Sequence, residues 1–255
     1  MNRRAFLTFG ALGTISTLEA SIKIFPDPVC LFPKDKYLSY VDLNILKTIH
    51  IKLKSVQNYV GYGHYNYISF DEVLFHARNV PSIGVFFKTE LEMMDRLFYD
   101  DVSQYGFYGA KTTNKITTKI DPKELEKIPK SGHYIFKGKP LADYKRLEKD
   151  VGNDMILTSG VRGVPKQMYL YISKILNLNG NISKASKIIA PPAYTYHAIS
   201  DFDVGKRGFG VANFSERFTT TNEYKELIKL DYISIRYKKN NKDGVRYEPW
   251  HIEVI

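Results

Sequence analysis

The residues whose types and spacing best fit catalysis lie near the C-terminus. Glu248 and His251 lie close together there, and His197, earlier in the chain, is followed closely by an Asp. A hydrolytic zinc ion takes three protein ligands and lowers the pKa of a bound water to about 7, while a free carboxylate accepts the proton. Two imidazoles, one carboxylate ligand and one further Glu therefore predict a catalytic zinc site.

Polar residues further upstream extend this pattern. Arg162 follows a Ser-Gly pair, and Gln167 lies five residues beyond it. The series continues with Thr195-Tyr196-His197 and with Glu248-Pro249-Trp250-His251. In order and approximate spacing, residues 158–255 resemble the VanY-type zinc D-alanyl-D-alanine carboxypeptidases. These enzymes belong to a wider fold group that also contains murein endopeptidases and the hedgehog signalling domain.

The resemblance implies a role for each of these side chains. It makes Zn²⁺ the cofactor, with His197, Asp203 and His251 as its ligands, and it makes Glu248 the general base. The implied substrate-binding residues are Arg162, which would bind the free C-terminal carboxylate of a peptide, Gln167, which would line the pocket, and Thr195, which stands where the family usually has Ser.

The identity of the carboxylate ligand stays open between two residues. The family places an Asp seven residues after the first His with a Gly between them, whereas here Asp203 is at plus six and Ser200 takes the Gly position. The sequence Asp203-Val204-Gly205 matches the family's Asp-Val-Gly and favours Asp203. Asp201 and Asp203 would lie on the same face of an extended strand, so periodicity does not separate them.

The pattern of apolar residues predicts an α+β protein in which a small antiparallel sheet with flanking helices carries the zinc site. A mainly helical N-terminal region, residues 21–144, precedes the catalytic core at 145–255. Apolar residues at helical spacing predict helices from Ser69 or Asp71 to about 77, over 89–99, from Pro165 to about 176, and over 222–229.

Two stretches in the core predict the strands that would carry the site. Residues 155–158 predict a short buried strand, and residues 232–237 alternate as a strand that returns through a turn at 240–244 into an antiparallel strand over 245–254. Residues three apart on a regular strand point to opposite faces. We therefore expect Pro249 to introduce a bulge or bend that turns Glu248 and His251 toward one metal.

Residues 1–20 have the features of an export signal. Arg3-Arg4 followed by Phe6-Leu7 resembles the twin-arginine type, and the apolar run that follows is too short and glycine-rich for a membrane span. We expect a protein exported to the periplasm or cell envelope with no stable membrane span afterwards. The single cysteine, Cys30, excludes an internal disulfide framework and a Cys-based zinc site, and is expected to be an unpaired thiol.

The net charge of +10 favours an anionic partner. Lysines are spread through the chain and no nucleic-acid-binding module is recognisable, so nucleic acid is not expected as the partner. Peptidoglycan stem peptides or their precursors carry carboxylates and fit this charge. The remaining histidines His50, His64, His76 and His133 are expected at the surface or in packing, with His64 the first to check for contact with substrate.

Together with these observations, the resemblance implies a zinc D,D-carboxypeptidase that removes the terminal D-alanine from peptidoglycan stem peptides. The resemblance leaves open an L,D-carboxypeptidase or a murein endopeptidase on the same scaffold, and a non-catalytic, metal-stabilised binding domain. Arg162 argues against an endopeptidase, because an internal bond offers no terminal carboxylate to bind. Glu248 argues against a structural site, which has no use for a base.

Overall fold

Helices dominate the first part of the chain described by the computed structural model, which covers residues 35–255. They are α1 (Tyr40–Val60), α2 (Tyr62–Tyr65), α3 (Phe70–Asn79) and α4 (Lys88–Tyr99). Of the two predicted caps for α3, Ser69 is the one used: its side chain accepts from the backbone N–H of Glu72, whose carboxylate returns to Ser69. Helix α4 confirms the prediction over 89–99.

The predicted export signal at 1–20 and Cys30 lie outside the described residues. Within residues 35–255, no helix has the length and apolar character needed to cross a membrane.

A two-stranded hairpin that the sequence analysis did not predict follows the helices. It pairs β1 (Leu125–Lys127) with β2 (Tyr134–Phe136) in antiparallel register. Helix α5 (Lys139–Val151) comes next and runs through position 144/145, where the sequence analysis divides the chain, and residues 35–255 form one unit.

The second sheet has four antiparallel strands and confirms the α+β class. Its strands are β3 (Met155–Ser159), β4 (Phe202–Lys206), β5 (Ser234–Ile235) and β6 (His251–Glu253), in the order β3-β4-β6-β5. Helices α6 (Val164–Asn177), α7 (Ile182–Ser186) and α8 (Asn222–Leu227) complete the fold. Strand β3 and helices α6 and α8 occur where the sequence predicts them.

Two apolar cores flank the start of α6. In the larger core α1 packs against α3, α4 and α6. The buried residues of α6 include Met168, Tyr171, Ile172 and Ile175, as the helical spacing predicts. The smaller core lies between the four-stranded sheet and helices α5 and α8. Because α6 follows β3 after a short loop, residues in that loop lie between the two cores.

The predicted long strand over 245–254 is wrong in extent. Only His251–Glu253 forms a strand, and β5 is shorter than the predicted 232–237. Residues 248–251 form a turn instead, closed by a hydrogen bond from His251 N–H to Glu248 O (3.1 Å). Pro249 has no N–H to donate and suits such a turn, so the bend expected there is present, but as a turn before the strand.

Candidate metal centre

Neighbouring strands place two of the predicted ligands side by side. Asp203 in β4 pairs in register with Ser159 of β3 on one side and with His251 of β6 on the other. Side chains opposite one another in a sheet lie on the same face. The next residues, Phe202 and Ile252, point the other way and are fully buried in the smaller core, which holds this register.

A short helical turn, Tyr196–Ala198, supplies His197 to the same face. The Nδ1 atom of His197 lies 2.8 Å from Gly160 O, and His197 O accepts the backbone N–H of Arg162 (3.1 Å). Because a carbonyl only accepts, Nδ1 carries the ring proton and Nε2 is left with its lone pair. This contact fixes the tautomer that a metal ligand needs.

The three predicted ligands converge on one buried point. His197 Nε2 lies 3.3 Å from Asp203 Oδ2, and His251 Nδ1 lies 3.3 Å from Asp203 Oδ1. One ligand atom from each residue lies within 4.8 Å of the others, and all three side chains are buried. Among residues 35–255, His197 Nε2 and Asp203 Oδ1 have no hydrogen-bond partner. Buried acceptors without donors are rare, and this nitrogen–oxygen donor set fits zinc.

Asp201 lies beside this cluster with different partners. One of its oxygens is 3.1 Å from His251 Nε2, and it also binds the Arg236 guanidinium through two nitrogens and accepts from the Val254 N–H at 3.1 Å. It therefore holds the ring of His251 with Nδ1 turned toward Asp203, as the outer carboxylate of a carboxylate–histidine–metal arrangement does. The geometry supports Asp203 over Asp201 as the ligand.

Glu248 lies next to the cluster without belonging to it. Its Oε2 is 3.5 Å from His251 Nδ1, and its Oε1 is 3.7 Å from Arg246 Nε. The turn at 248–251 brings the two side chains to one side, and a hydrogen bond from Glu248 N–H to Tyr237 O (3.0 Å) anchors it. Glu248 thus remains available as a free carboxylate beside the ligands.

The pKa values of His197 and His251 are shifted in opposite directions. Burial and the positive charge of Arg162 lower the pKa of His197 to about 4, so its ring is neutral at physiological pH. Burial also disfavours the cationic form of His251, but its hydrogen bonds with Asp201 and Glu248 and the charge of Asp203 raise its pKa to about 9. Asp203 is buried as well, yet His197 and Arg162 lower its pKa. In the metal-free protein, a proton on His251 balances the nearby carboxylates.

This proton predicts that zinc affinity depends on pH. Below about pH 9, the pKa of His251, zinc must displace the proton from His251, so affinity is expected to rise about tenfold per pH unit toward pH 9 and then to level off. Competition with a chelator of known proton affinity measures this slope. An affinity that stays constant between about pH 6 and 9 would show that no proton leaves on binding.

A cavity of about 480 Å³ opens onto the cluster, and all three predicted substrate-binding residues line it: Arg162, Gln167 and Thr195. Arg162 donates from Nε to Ser159 Oγ (2.9 Å) and from Nη2 to Asp203 Oδ2 (2.6 Å). Gln167 donates from Nε2 to Ala190 O (2.7 Å), which leaves its buried Oε1 without a partner in the described chain.

The cavity also contains residues that the sequence analysis did not assign to it: Tyr62, His133, Lys166 and Tyr237. His133 was expected at the surface or in packing. It is buried and packs against Tyr62, and it also lines the cavity. His64 is not among the lining residues and packs against Tyr67. Of these four residues, only Lys166 could have been recognised from the sequence. It is a charged residue directly before Gln167, in a helical turn that is buried.

Residues 140–255 match the family model described as VanY: D-alanyl-D-alanine carboxypeptidase. This match confirms the resemblance predicted from the sequence for that part of the chain. A comparison with curated proteins gave no match.

Several solved structures are similar to this chain, three of them with the following identity, coverage and TM-score. The LdcB LD-carboxypeptidase is 22% identical, with 52% of this chain and 68% of that chain covered and a TM-score of 0.43. The vancomycin resistance D,D-pentapeptidase VanY in complex with Zn(II) is 21% identical, with 57% and 84% covered and a TM-score of 0.43. VanYB in complex with D-alanine-D-alanine is 22% identical, with 56% and 83% covered and a TM-score of 0.40.

Proposed function

Since residues 140–255 match the family model described as VanY: D-alanyl-D-alanine carboxypeptidase, we propose that the protein is a zinc-dependent carboxypeptidase that removes the terminal D-alanine from peptidoglycan stem peptides. The main observation in support is the buried cluster of His197, Asp203 and His251 at one cavity with an uncoordinated Glu248 beside it. A structural zinc site would have no need of the cavity or of the free carboxylate.

The proposed ligands are His197, Asp203 and His251. Bound zinc would polarise the scissile carbonyl and lower the pKa of the attacking water. Asp203 has one oxygen for this role, because Oδ1 has no hydrogen-bond partner among residues 35–255 while Oδ2 accepts from Arg162. Asp203 would therefore bind zinc through Oδ1 and keep its ion pair with Arg162 through Oδ2.

Glu248 acts as the general base and then as the general acid. Its carboxylate accepts a proton from the attacking water and transfers that proton to the amine nitrogen of the leaving D-alanine as the peptide bond breaks. The contact with Arg246 and the turn at 248–251 hold the carboxylate at the edge of the cluster.

Arg162 binds the terminal carboxylate of the substrate. Two of its nitrogens already donate to Ser159 and Asp203, which fixes the guanidinium plane beside the proposed metal ligands. Within residues 35–255 its remaining N–H groups form no hydrogen bond, so they can bind a carboxylate. A terminal carboxylate is one residue from the bond that is cut. An anchor this close to the ligands favours cleavage of the last peptide bond.

Replacing Arg162 with Ala should mainly remove the preference for a free C-terminus. We expect the ratio of kcat/KM for free and amidated peptides to fall about 10- to 100-fold, because a charge-assisted contact is lost. Steady-state assays on the two peptides measure this ratio, with zinc content checked in the same samples. The exposed Arg217→Ala variant is the control. An unchanged ratio in Arg162→Ala would remove Arg162 from the anchoring role.

One assay tests the activity itself. Zinc-loaded protein is incubated with pentapeptide and tetrapeptide stems, and products are identified by mass spectrometry. Release of D-alanine from the pentapeptide supports the D,D-carboxypeptidase, release from the tetrapeptide alone would make it an L,D-carboxypeptidase, and cleavage of cross-linked peptides only would make it an endopeptidase. No cleavage by a zinc-loaded, folded protein would leave a non-catalytic binding domain.

The proposed substrate implies a location outside the cytoplasm. We propose that residues 1–20 direct export to the periplasm or cell envelope by the twin-arginine route. Fractionation of cells that express the wild-type chain or an Arg3→Lys, Arg4→Lys variant tests this, and unchanged export of the variant would contradict the route.

A further inference from the structure

Lys166 is a buried cation for which the proposed mechanism has no role. It lies in the first turn of α6, is 5% exposed and lines the cavity. Its Nζ donates to the amide oxygen of Gln57 over 3.2 Å, and no carboxylate of residues 35–255 forms an ion pair with it. A buried ammonium without an anionic partner is unfavourable. The cavity in front of Lys166 is therefore suited to an anion.

Tyr62 and His133 lie beside Lys166 on the same wall. The Nζ of Lys166 is 4.3 Å from the centroid of the Tyr62 ring, and the Tyr62 hydroxyl is 3.4 Å from His133 Nε2. The other ring nitrogen of His133, Nδ1, is buried and has no hydrogen-bond partner in the part of the chain described. An ammonium, a phenol and an imidazole thus meet at one place in the cavity.

The charges on this wall are positive or neutral. Burial and the charges of Arg162 and Lys54 lower the pKa of Lys166 to about 8, so the ammonium form still predominates at neutral pH. Burial and the same Arg162 lower the pKa of His133 to about 4, so its ring is neutral. A bound carboxylate would offset the repulsion between Lys166 and Arg162.

Binding of the C-terminal carboxylate by Arg162 does not account for the group formed by Lys166, Tyr62 and His133. Arg162 already holds Asp203 and Ser159 and has donors left for one substrate carboxylate. Tyr62 and His133 come from α2 and from the loop before β2, both outside residues 140–255. The second group is therefore built partly from the region that precedes the matched domain.

We propose that Lys166, Tyr62 and His133 form a second carboxylate-binding subsite, which selects stem peptides that carry a free carboxylate in addition to the C-terminal one. The subsite rests on the proposed function, since it lies in the same cavity. Lys166 supplies the charge. The Tyr62 hydroxyl and the neutral His133 ring use one of their two protons in their mutual contact, so the pair supplies one neutral hydrogen bond to the carboxylate.

The test uses one stem peptide and a set of derivatives in which a single carboxylate at a time is converted to a carboxamide. For zinc-loaded wild type, amidation of one carboxylate other than the C-terminal one should lower kcat/KM about 10- to 100-fold, the effect of a lost charge-assisted hydrogen bond. Lys166→Met should abolish that discrimination and keep the discrimination at the C-terminus. Tyr62→Phe should reduce it by a smaller factor, and Lys184→Met on the exposed side of α7 should not change it.

Equilibrium binding of the same peptides to the Glu248→Gln protein gives a readout independent of turnover, and melting temperatures report on folding. The subsite is overturned if wild type cleaves the parent peptide with no sensitivity to the additional carboxylates. It is also overturned if Lys166→Met slows all peptides equally, or if it removes only the preference for a free C-terminus. Failure of wild type to cleave any stem peptide would instead contradict the proposed function. Should Lys166→Met not fold, Tyr62→Phe decides the outcome.

Discussion

Replacing Glu248 with Gln is expected to lower kcat by about 10²- to 10⁴-fold, the usual contribution of a positioned general base. The protein should still bind zinc, because Glu248 lies outside the cluster of His197, Asp203 and His251. Gln has the same shape as Glu but does not accept a proton at neutral pH. Measurements of D-alanine release and of zinc content on the same preparation test the lower kcat and the retained zinc binding.

Glu226→Gln provides the matched control, because Glu226 is an exposed carboxylate of α8 that pairs with Lys229, just beyond the helix. Its activity should equal that of wild type. Full activity in Glu248→Gln would show that another group takes the proton, and loss of zinc in that variant would make Glu248 a ligand.

Replacing Asp203 or Asp201 with Asn should separate a metal ligand from its supporting carboxylate. Asp203→Asn removes the negative charge of a proposed ligand and is expected to abolish activity and most zinc binding. Asp201→Asn keeps all three ligands but weakens the hold on His251, and should reduce zinc affinity about 10- to 100-fold. Chelator competition on both variants gives the two affinities.

The two variants also differ in their effect on the metal-free protein. Asp201 holds Arg236 and His251, so Asp201→Asn leaves a partly buried guanidinium with Glu253 as its remaining counter-charge and should lower the melting temperature. Thermal melts without zinc measure this loss. A larger loss of zinc affinity in Asp201→Asn than in Asp203→Asn would reverse the assignment of the ligand.

Much of the scaffold was predictable because its patterns are local. The apolar spacing over 165–176 and the short apolar strand at 155–158 each specify one element, and both occur as α6 and β3. The turn at 248–251 was predicted only as a bend, because its geometry depends on where Tyr237 receives the Glu248 N–H. The hairpin of β1 and β2 was missed because its strands are short and carry little alternation.

The sequence by itself determined which donors, bases and cations are available, and their order matches a known pattern. The sequence favoured Asp203 over Asp201 only through the match of Asp203-Val204-Gly205 to the family pattern. The tertiary structure supplied the geometry, since both residues face His251 and their roles depend on which ring nitrogen each meets. The wall of Tyr62, His133 and Lys166 likewise exists only after folding. Its members lie far apart in the chain, and their contacts arise from how helices and strands pack, which no local pattern encodes.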